Sequence, residues 1–419
     1  MPEPVPPATT PQPPAPAPRT HPAAAARTEM VDRLEADGDL QPGPVRDALL
    51  ALPREVLMPQ AYVRRSKSEE NPPRWDLLEW TAVADREELL RILYSGGSVL
   101  IQHDGEPILS RIPGPRSGGQ ITSMSSTVGM TAGLLQELDL RPGHRVLDVG
   151  TGAGVTAAVA SFVCGDVGVV TLDRDRHVSA AARARLAALG YQPAVVTGDG
   201  AAGWPGGAPY ERIFLSYAIG RAPEALVEQL APGGRALANL TGMSPSWPGL
   251  AVITRTAGGR VEAELRAVEF GHRPGHGFER IFLSRAFLDR IATGEGAQTF
   301  SSRIGPPPDE PRALWLALEG LFPGLVRNWG ADHLMLGAPA CGSWVTAQVD
   351  GAGGWTVCSH GPRDIWEEIQ TTAARWYAAG RPDAYRLHLD PGGRQWVSAS
   401  TGRAELSWNL PLPHSNASS

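Results

Sequence analysis

The strongest chemical signal in the chain is the stretch Val146-Leu147-Asp148-Val149-Gly150-Thr151-Gly152-Ala153-Gly154. Glycine at every second position of a turn allows positive φ and lets backbone approach a ligand without Cβ interference. Apolar residues lead into the turn and a small-residue run follows it at once. The first N–H groups of the next helix therefore face the crevice at the carboxyl ends of the strands, where open α/β sheets bind ligands. Asp173 ends the next strand-like run, Val169-Val170-Thr171-Leu172, 19 residues beyond Gly154. That spacing suits an acid bonding ribose hydroxyls, although an acid there also suits a turn or helix cap. Gly198-Asp199-Gly200 follows at the end of the strand after that. Its acid can accept from an adenine amino group, with Gly200 keeping the rim open. Read alone, it is also a common turn sequence. The turn Gly-Thr-Gly-Ala-Gly is tighter than G-x-G-x-x-G and suits a ligand without a pyrophosphate. The expected cofactor is S-adenosyl-L-methionine rather than a nicotinamide dinucleotide. Asp148, Gly150, Thr151, Gly152, Gly154, Asp173, Asp199 and Gly200 are its expected contacts.

These residues need a scaffold that brings successive strand ends together. Strand candidates at Arg145–Val149, Val167–Leu172, Ala194–Val196, Arg212–Leu215 and Arg235–Leu240 alternate with helix candidates at Val155–Val163, His177–Leu189 and Pro223–Leu230. A further helix candidate, Val128–Leu138, precedes them. Such alternation means βαβ units and a parallel sheet, an α/β Rossmann-like fold. Beyond residue 245 the alternation weakens, and Ala251–Thr254 and Ala263–Glu269 read as strands continuing the sheet. Residues 300–405 are rich in tryptophan and read as an additional α+β module. It has a strand pair around Asp350-Gly351, a helix at Arg363–Ala378 and a second pair around Pro391-Gly392-Gly393. The expected organisation has a disordered Pro/Ala-rich tail over 1–28 and a cofactor-binding domain over 29–295 with an insertion near 63–118. A C-terminal α+β accessory domain over 296–409 and a loose tail over 410–419 complete it.

Composition narrows the class. The chain has 419 residues, 42% of them hydrophobic, and a net charge of −6. It has no broad basic field for nucleic acid. Three cysteines, Cys164, Cys341 and Cys358, lie far apart without CxxC spacing, so neither a disulfide framework nor a zinc site is expected. No apolar run is long enough to span a membrane, and prolines break the N-terminus where a signal peptide needs a continuous apolar region. The expected location is the cytoplasm. His272 and His276 are four apart, but Pro274 and the neighbouring glycines disfavour the helix that would align them on a metal, and no metal is expected. Arg183 and Arg185 read as a solvated helix face. The tryptophans near the C-terminus read either as an ordinary core or as a peptide-docking surface.

The ordered motifs resemble those of protein-L-isoaspartate O-methyltransferases. The family's V-L-[DE]-[VI]-G-T-G-[ST]-G-Y turn matches Val146–Val155. Its G-D-G-x-x-G-W-P segment matches Gly198-Asp199-Gly200-Ala201-Ala202-Gly203-Trp204-Pro205. Its Y-[DE]-R-I-[IF] strand matches Tyr210–Phe214, its L-x-P-G-G matches Leu230–Gly234, and its P-R-x-x-[FL]-[VM]-P matches Pro53–Pro59. The resemblance implies a class I S-adenosyl-L-methionine-dependent methyltransferase core. It implies carboxyl O-methyl transfer to Asp or isoaspartyl side chains or α-carboxylates of a protein or peptide. The product ester can close to a succinimide. The family's Q-T-I-S-x-P loop carries a serine at the methyl-transfer site. Counted back without gaps from Leu134-Leu135, that serine is Ser123 and the glutamine is Gln120, so the resemblance makes Ser123 the catalytic hydroxyl. The family proline is Ser125 here, which leaves Thr122 and Ser125 as alternative hydroxyls and substrate contacts. Two further departures concern the substrate. About 60 residues separate Tyr62 from Ser123, and Ser216-Tyr217-Ala218-Ile219 replaces an alanine-rich turn. Extended forms of this kind resemble enzymes that tailor ribosomally made peptides such as lanthipeptides, with the C-terminal region available to dock a leader peptide. General repair of damaged proteins and a catalytically inactive peptide-binding homologue are the alternatives.

Overall fold

The structure is a computed structural model that describes residues 22–67, 70–242, 246–268, 283–328, 333–350, 353–401 and 404–411. The insertion expected over 63–118 is built into a sheet of its own. Strands β1 (Gln60–Arg64), β2 (Arg74–Glu79), β3 (Val99–His103), β4 (Gly114–Ser117) and β5 (Ile121–Ser125) pair antiparallel in the order β4-β2-β1-β3-β5. Helix Val83–Tyr94 packs on it. The edge strand β5 is the one that carries Ser123.

The core strands are β6 (Val146–Val149), β7 (Val169–Asp173), β8 (Ala194–Thr197), β9 (Tyr210–Ile219), β10 (Leu230–Leu240), β11 (Gly249–Arg255) and β12 (Val261–Ala267). They lie in the order β12-β11-β10-β9-β6-β7-β8, parallel from β10 to β8 and antiparallel beyond β10. Successive residues of a strand point to opposite faces, and here both faces are apolar. Val146, Phe214, Leu237 and Val252 enter one core, while Leu147, Ile213, Ala238 and Ile253 enter the other. This two-sided burial makes the strands read as continuous apolar runs. The first core is covered by helices Pro22–Ala36, Pro44–Ala51, Val128–Glu137, Val155–Cys164 and Arg176–Ala188.

The second core is covered from the far end of the chain, which corrects the division expected at 295/296. Strands β13 (Gln298–Ser302), β14 (Val326–Asn328), β15 (His333–Ala338), β16 (Ser343–Val349) and β17 (Trp355–His360) do form a separate antiparallel sheet. Helices Arg312–Leu321 and Ile365–Ala378, however, lay Leu314, Leu318, Ile369 and Trp376 onto the second face of the core sheet. Strands β18 (Ala384–Leu389), β19 (Gln395–Ser400) and β20 (Glu405–Asn409) then extend the core sheet itself. The joint is the pairing of Leu265 in β12 with Tyr385 in β18. A pairing between strands so distant in the chain leaves no local pattern. Trp315, Trp344, Trp366, Trp376 and Trp408 are buried, so most of the aromatic content is core.

The expected tail over 1–28 is corrected too. Residues 1–21 lie outside the described residues, but a helix begins at Pro22 and buries Ala23, Met30, Val31 and Leu34. Alanine is the best helix former, and proline is well tolerated in a first helical turn. Arg185, expected in solvent, is buried, and burial lowers its guanidinium pKa to about 10. His272, His276 and Trp329 lie outside the described residues. No helix among the described residues is long and apolar enough to cross a membrane.

Candidate active site

A cavity of about 730 Å³ opens at the carboxyl ends of the core strands. Of the expected site residues, Thr122, Ser123, Ser125, Gly150, Thr151, Gly152, Asp173, Asp199 and Gly200 all line it. The turn after β6 is tied to the neighbouring strand, because Gly150 and Thr151 both donate their N–H groups to the carbonyl of Leu172. Gly152 sits at φ +49°, and a Cβ there would stand 3.0 Å from the carbonyl oxygen of Met124. Only glycine lets the turn pass this close beneath β5, so this contact brings the edge strand of the first sheet over the core.

Two acids mark one end of the cavity. Asp173 accepts hydrogen bonds from Gly152 N at 3.2 Å and Asp175 N at 3.0 Å, one on each oxygen. Each oxygen keeps a second acceptor position for a ligand hydroxyl. Asp199 accepts from Ala201 N at 3.0 Å through Oδ1. A Cβ at Gly200 would collide with the Tyr217 hydroxyl and stand 2.7 Å from Val149. Tyr217 also approaches Gly150, its Cδ1 lying 3.0 Å from where a Cβ would be. The ring therefore lies along the crevice from the glycine turn to the Asp199 rim, and its phenol has no hydrogen-bond partner among the described residues. Burial, and then the charges of Asp199 and Asp173, raise its pKa.

The opposite end is lined by β5, β9 and β10. Thr122 and Ser123 face opposite sides of β5, as a strand requires. The Thr122 hydroxyl is engaged twice, donating to Gln102 Oε1 at 2.8 Å and accepting from Gly105 N at 3.0 Å. Gln102 in turn donates to Asp175 Oδ2 at 2.8 Å, and Asp175 caps helix Arg176–Ala188 through His177 N. Thr122 thus ties β5 to β3 and its following turn, and Gln102 carries the link to the core through Asp175. The Ser123 hydroxyl has no hydrogen-bond partner among the described residues and stands at the cavity wall. Ser125 lies on the same face as Ser123 but is buried.

Three expected contacts do not line the cavity. Asp148 lies in the middle of the sheet, where burial raises its pKa to about 7. It accepts from Thr171 Oγ1, which is itself 2.7 Å from Thr151 Oγ1, so it supports the turn through two hydroxyls. Gly154 is the N-cap of helix Val155–Cys164 and packs toward Leu186. Gln120 is exposed, and its backbone is held by Asp104 on the outer side of the first sheet. Asn239 on β10 lines the cavity and went unmarked in the sequence reading. An asparagine inside the otherwise apolar run Ala236–Leu240 is the signal that could have found it.

A five-stranded parallel core, a glycine turn at its centre and acids on the next two strand ends define a Rossmann-like S-adenosyl-L-methionine-dependent methyltransferase. The cavity volume fits such a ligand, and the close approaches at Gly152 and Gly200 leave the backbone bare where it would lie. Residues 115–264 match the family described as Protein-L-isoaspartate(D-aspartate) O-methyltransferase. A protein-L-isoaspartate O-methyltransferase of Methylorubrum extorquens is 34% identical over 212 residues, covering 51% of this chain and 72% of that protein. One of Ignicoccus hospitalis is 31% identical over 246 residues, covering 58% of this chain and 95% of that protein. A solved structure of a protein-L-isoaspartate O-methyltransferase aligns with a TM-score of 0.46 at 19% identity, covering 89% of this chain and 99% of the other. The chain belongs to the protein-L-isoaspartate O-methyltransferase family.

Proposed function

We propose that this chain transfers a methyl group to a carboxylate oxygen of an Asp or isoaspartyl residue, and that its acceptor is a dedicated peptide of the tailoring kind rather than damaged protein at large. The cofactor supplies an electrophilic methyl. Asp173 holds ribose hydroxyls, Asp199 accepts from the adenine amino group, and the N–H groups of the turn face the remainder. A carboxylate is already ionised at neutral pH, so no strong base is needed. The chain's part is alignment of the nucleophile at a near-attack distance of roughly 3–3.5 Å. Ser123 donates to the acceptor carboxylate, and this assignment is carried by its hydroxyl, which has no partner among the described residues and is more open to the cavity than that of Ser125, while the Thr122 hydroxyl is engaged.

The tailoring reading is supported by two departures from the family motifs: the long segment between Tyr62 and Ser123, which here forms the sheet that supplies β5, and Tyr217 in place of the small residues of the family turn. Leader-peptide docking by the C-terminal region loses its motive, since five of its tryptophans are buried. The intact turn and both acids speak against an inactive homologue. The test is methyl transfer to an isoaspartyl peptide, an Asp peptide and a precursor peptide encoded beside the gene, read as a mass gain of one base-labile methyl. A strong preference for the precursor supports tailoring, and equal use of unrelated isoaspartyl peptides rejects it in favour of repair. Transfer to none of them rejects the carboxyl reading.

A further inference from the structure

The acceptor end of the cavity contains a buried polar group that the proposed chemistry does not use. Asn239 lies on β10 opposite Ala218 of β9. It is two strands from the glycine turn, on the side away from Asp173 and Asp199. It is 4% exposed, lines the cavity, and its Oδ1 has no hydrogen-bond partner among the described residues. A buried carbonyl without a donor destabilises a fold, and native structures satisfy nearly all of them. In the cavity lining Met130, Phe214 and Ile219 are apolar, and the hydroxyls of Thr131 and Ser216 already donate to backbone carbonyls. The terminal torsion of asparagine is broad and roughly two-fold, so the amide can turn its carbonyl to the cavity. A ligand N–H can supply the donor that the described residues do not.

The acids at β7 and β8 fix the adenosine end of the ligand on the other side of the turn, leaving the acceptor for β9 and β10. An ionised carboxylate has acceptors only. The donors that accompany it in a peptide are the backbone N–H groups on either side. We propose that Asn239 is an acceptor-binding residue whose side-chain carbonyl takes a hydrogen bond from a backbone N–H flanking the carboxylate to be methylated. This rests on the carboxyl-transfer reading above. Ser123 then holds the reacting group while Asn239 reads the peptide that carries it. A small dicarboxylic acid with no flanking amide is a poor acceptor for the same reason.

The test pairs a change in the protein with a change in the substrate. Asn239→Leu keeps the approximate volume and removes the polar group, and Asn239→Ala provides a second variant where leucine disturbs packing. The acceptors are one Asp or isoaspartyl peptide and two ester analogues, in which the N–H before or after the reacting residue is replaced by oxygen. Wild-type protein should prefer the amide peptide over one ester by about tenfold in kcat/KM, the equivalent of one hydrogen bond. The variants should lose about tenfold on the amide peptide and almost nothing on that ester, with S-adenosylhomocysteine affinity within about twofold of wild type. A structural role alone does not erase amide-versus-ester discrimination. Variants that discriminate as wild type does overturn the proposal. So does a tenfold loss of S-adenosylhomocysteine affinity with discrimination intact, which would make the missing donor the cofactor's ammonium group. Wild-type protein that methylates none of the peptides defeats the carboxyl-transfer reading and this proposal together. Wild type that methylates them without discriminating defeats this proposal only.

Discussion

The two ends of the cavity are built in different ways. At the cofactor end, Gly150, Gly152, Asp173, Asp199 and Gly200 fall within one stretch of chain, each at the end of successive strands of one sheet. At the acceptor end, Ser123 comes from the edge of a separate sheet and Asn239 from β10. The first end needs a backbone path and a few close approaches. The second needs side chains from distant segments to meet. An end encoded locally changes little when chain is added elsewhere, whereas an end assembled from several segments can be remodelled by insertions in any of them.

The most severe way to challenge this contrast is to remove the C-terminal region. A chain ending at residue 295 loses Leu314, Trp315, Leu318, Ile369 and Trp376 from the second face of the core sheet. Each large apolar side chain contributes about 1.5–3 kcal/mol when buried, so five approach the whole stability of roughly 5–15 kcal/mol typical of a native protein. The truncated chain should show no cooperative melting and no binding of S-adenosylhomocysteine. If it binds with wild-type affinity, the cofactor end stands alone and the region is an accessory after all.

The next largest effect separates the two ends within the intact fold. Ser123→Ala should lower turnover by about 100- to 1000-fold, by analogy with loss of one donor from a dry oxyanion site. Cofactor affinity, measured by isothermal titration, should stay near wild type. The reverse split is expected for Asp173→Ala. Losing a hydrogen bond to a charged group is worth about 1.5–3 kcal/mol, read here as weaker S-adenosylhomocysteine binding with turnover at saturating cofactor largely kept. Should both variants move both readouts equally, the cavity does not divide as drawn.

How much was legible in the sequence follows the same contrast. The glycine turn, both acids and the alternation of strands and helices around them were readable because strand, turn and helix are consecutive there. Asp148 was misplaced because its motif position says nothing of depth, and only the sheet shows it between two cores. Ser123 could be named through resemblance, yet its choice over Thr122 needed the hydrogen bonds of Gln102, a residue on another strand. Asn239 was missed because its strand scores as apolar. The extension of the core sheet by β18 was hidden by the chain that intervenes between it and β12.

The smallest expected effect tests the register of β5 itself. Thr122 and Ser123 are adjacent hydroxyls, and a shift of one residue along the strand would exchange their faces. In this structure the Thr122 hydroxyl bridges Gln102 Oε1 and Gly105 N, and Gln102 passes the link on to Asp175. Thr122→Val keeps the shape and removes both hydrogen bonds. Gln102 is fully buried, so its carbonyl would be left without a donor, at about 1–3 kcal/mol. Part of that should be recovered as the strand relaxes, leaving a net loss of roughly 1–2 kcal/mol by denaturant unfolding. Turnover should fall less than about tenfold, because the link acts on the position of β5 and not on the carboxylate. Ser123→Ala should do the opposite, leaving unfolding almost unchanged, since its hydroxyl bonds nothing among the described residues. The register is wrong if Thr122→Val unfolds like wild type and abolishes transfer while Ser123→Ala keeps it. If both lose transfer without loss of stability, the two hydroxyls share the carboxylate and the link is broken when substrate binds.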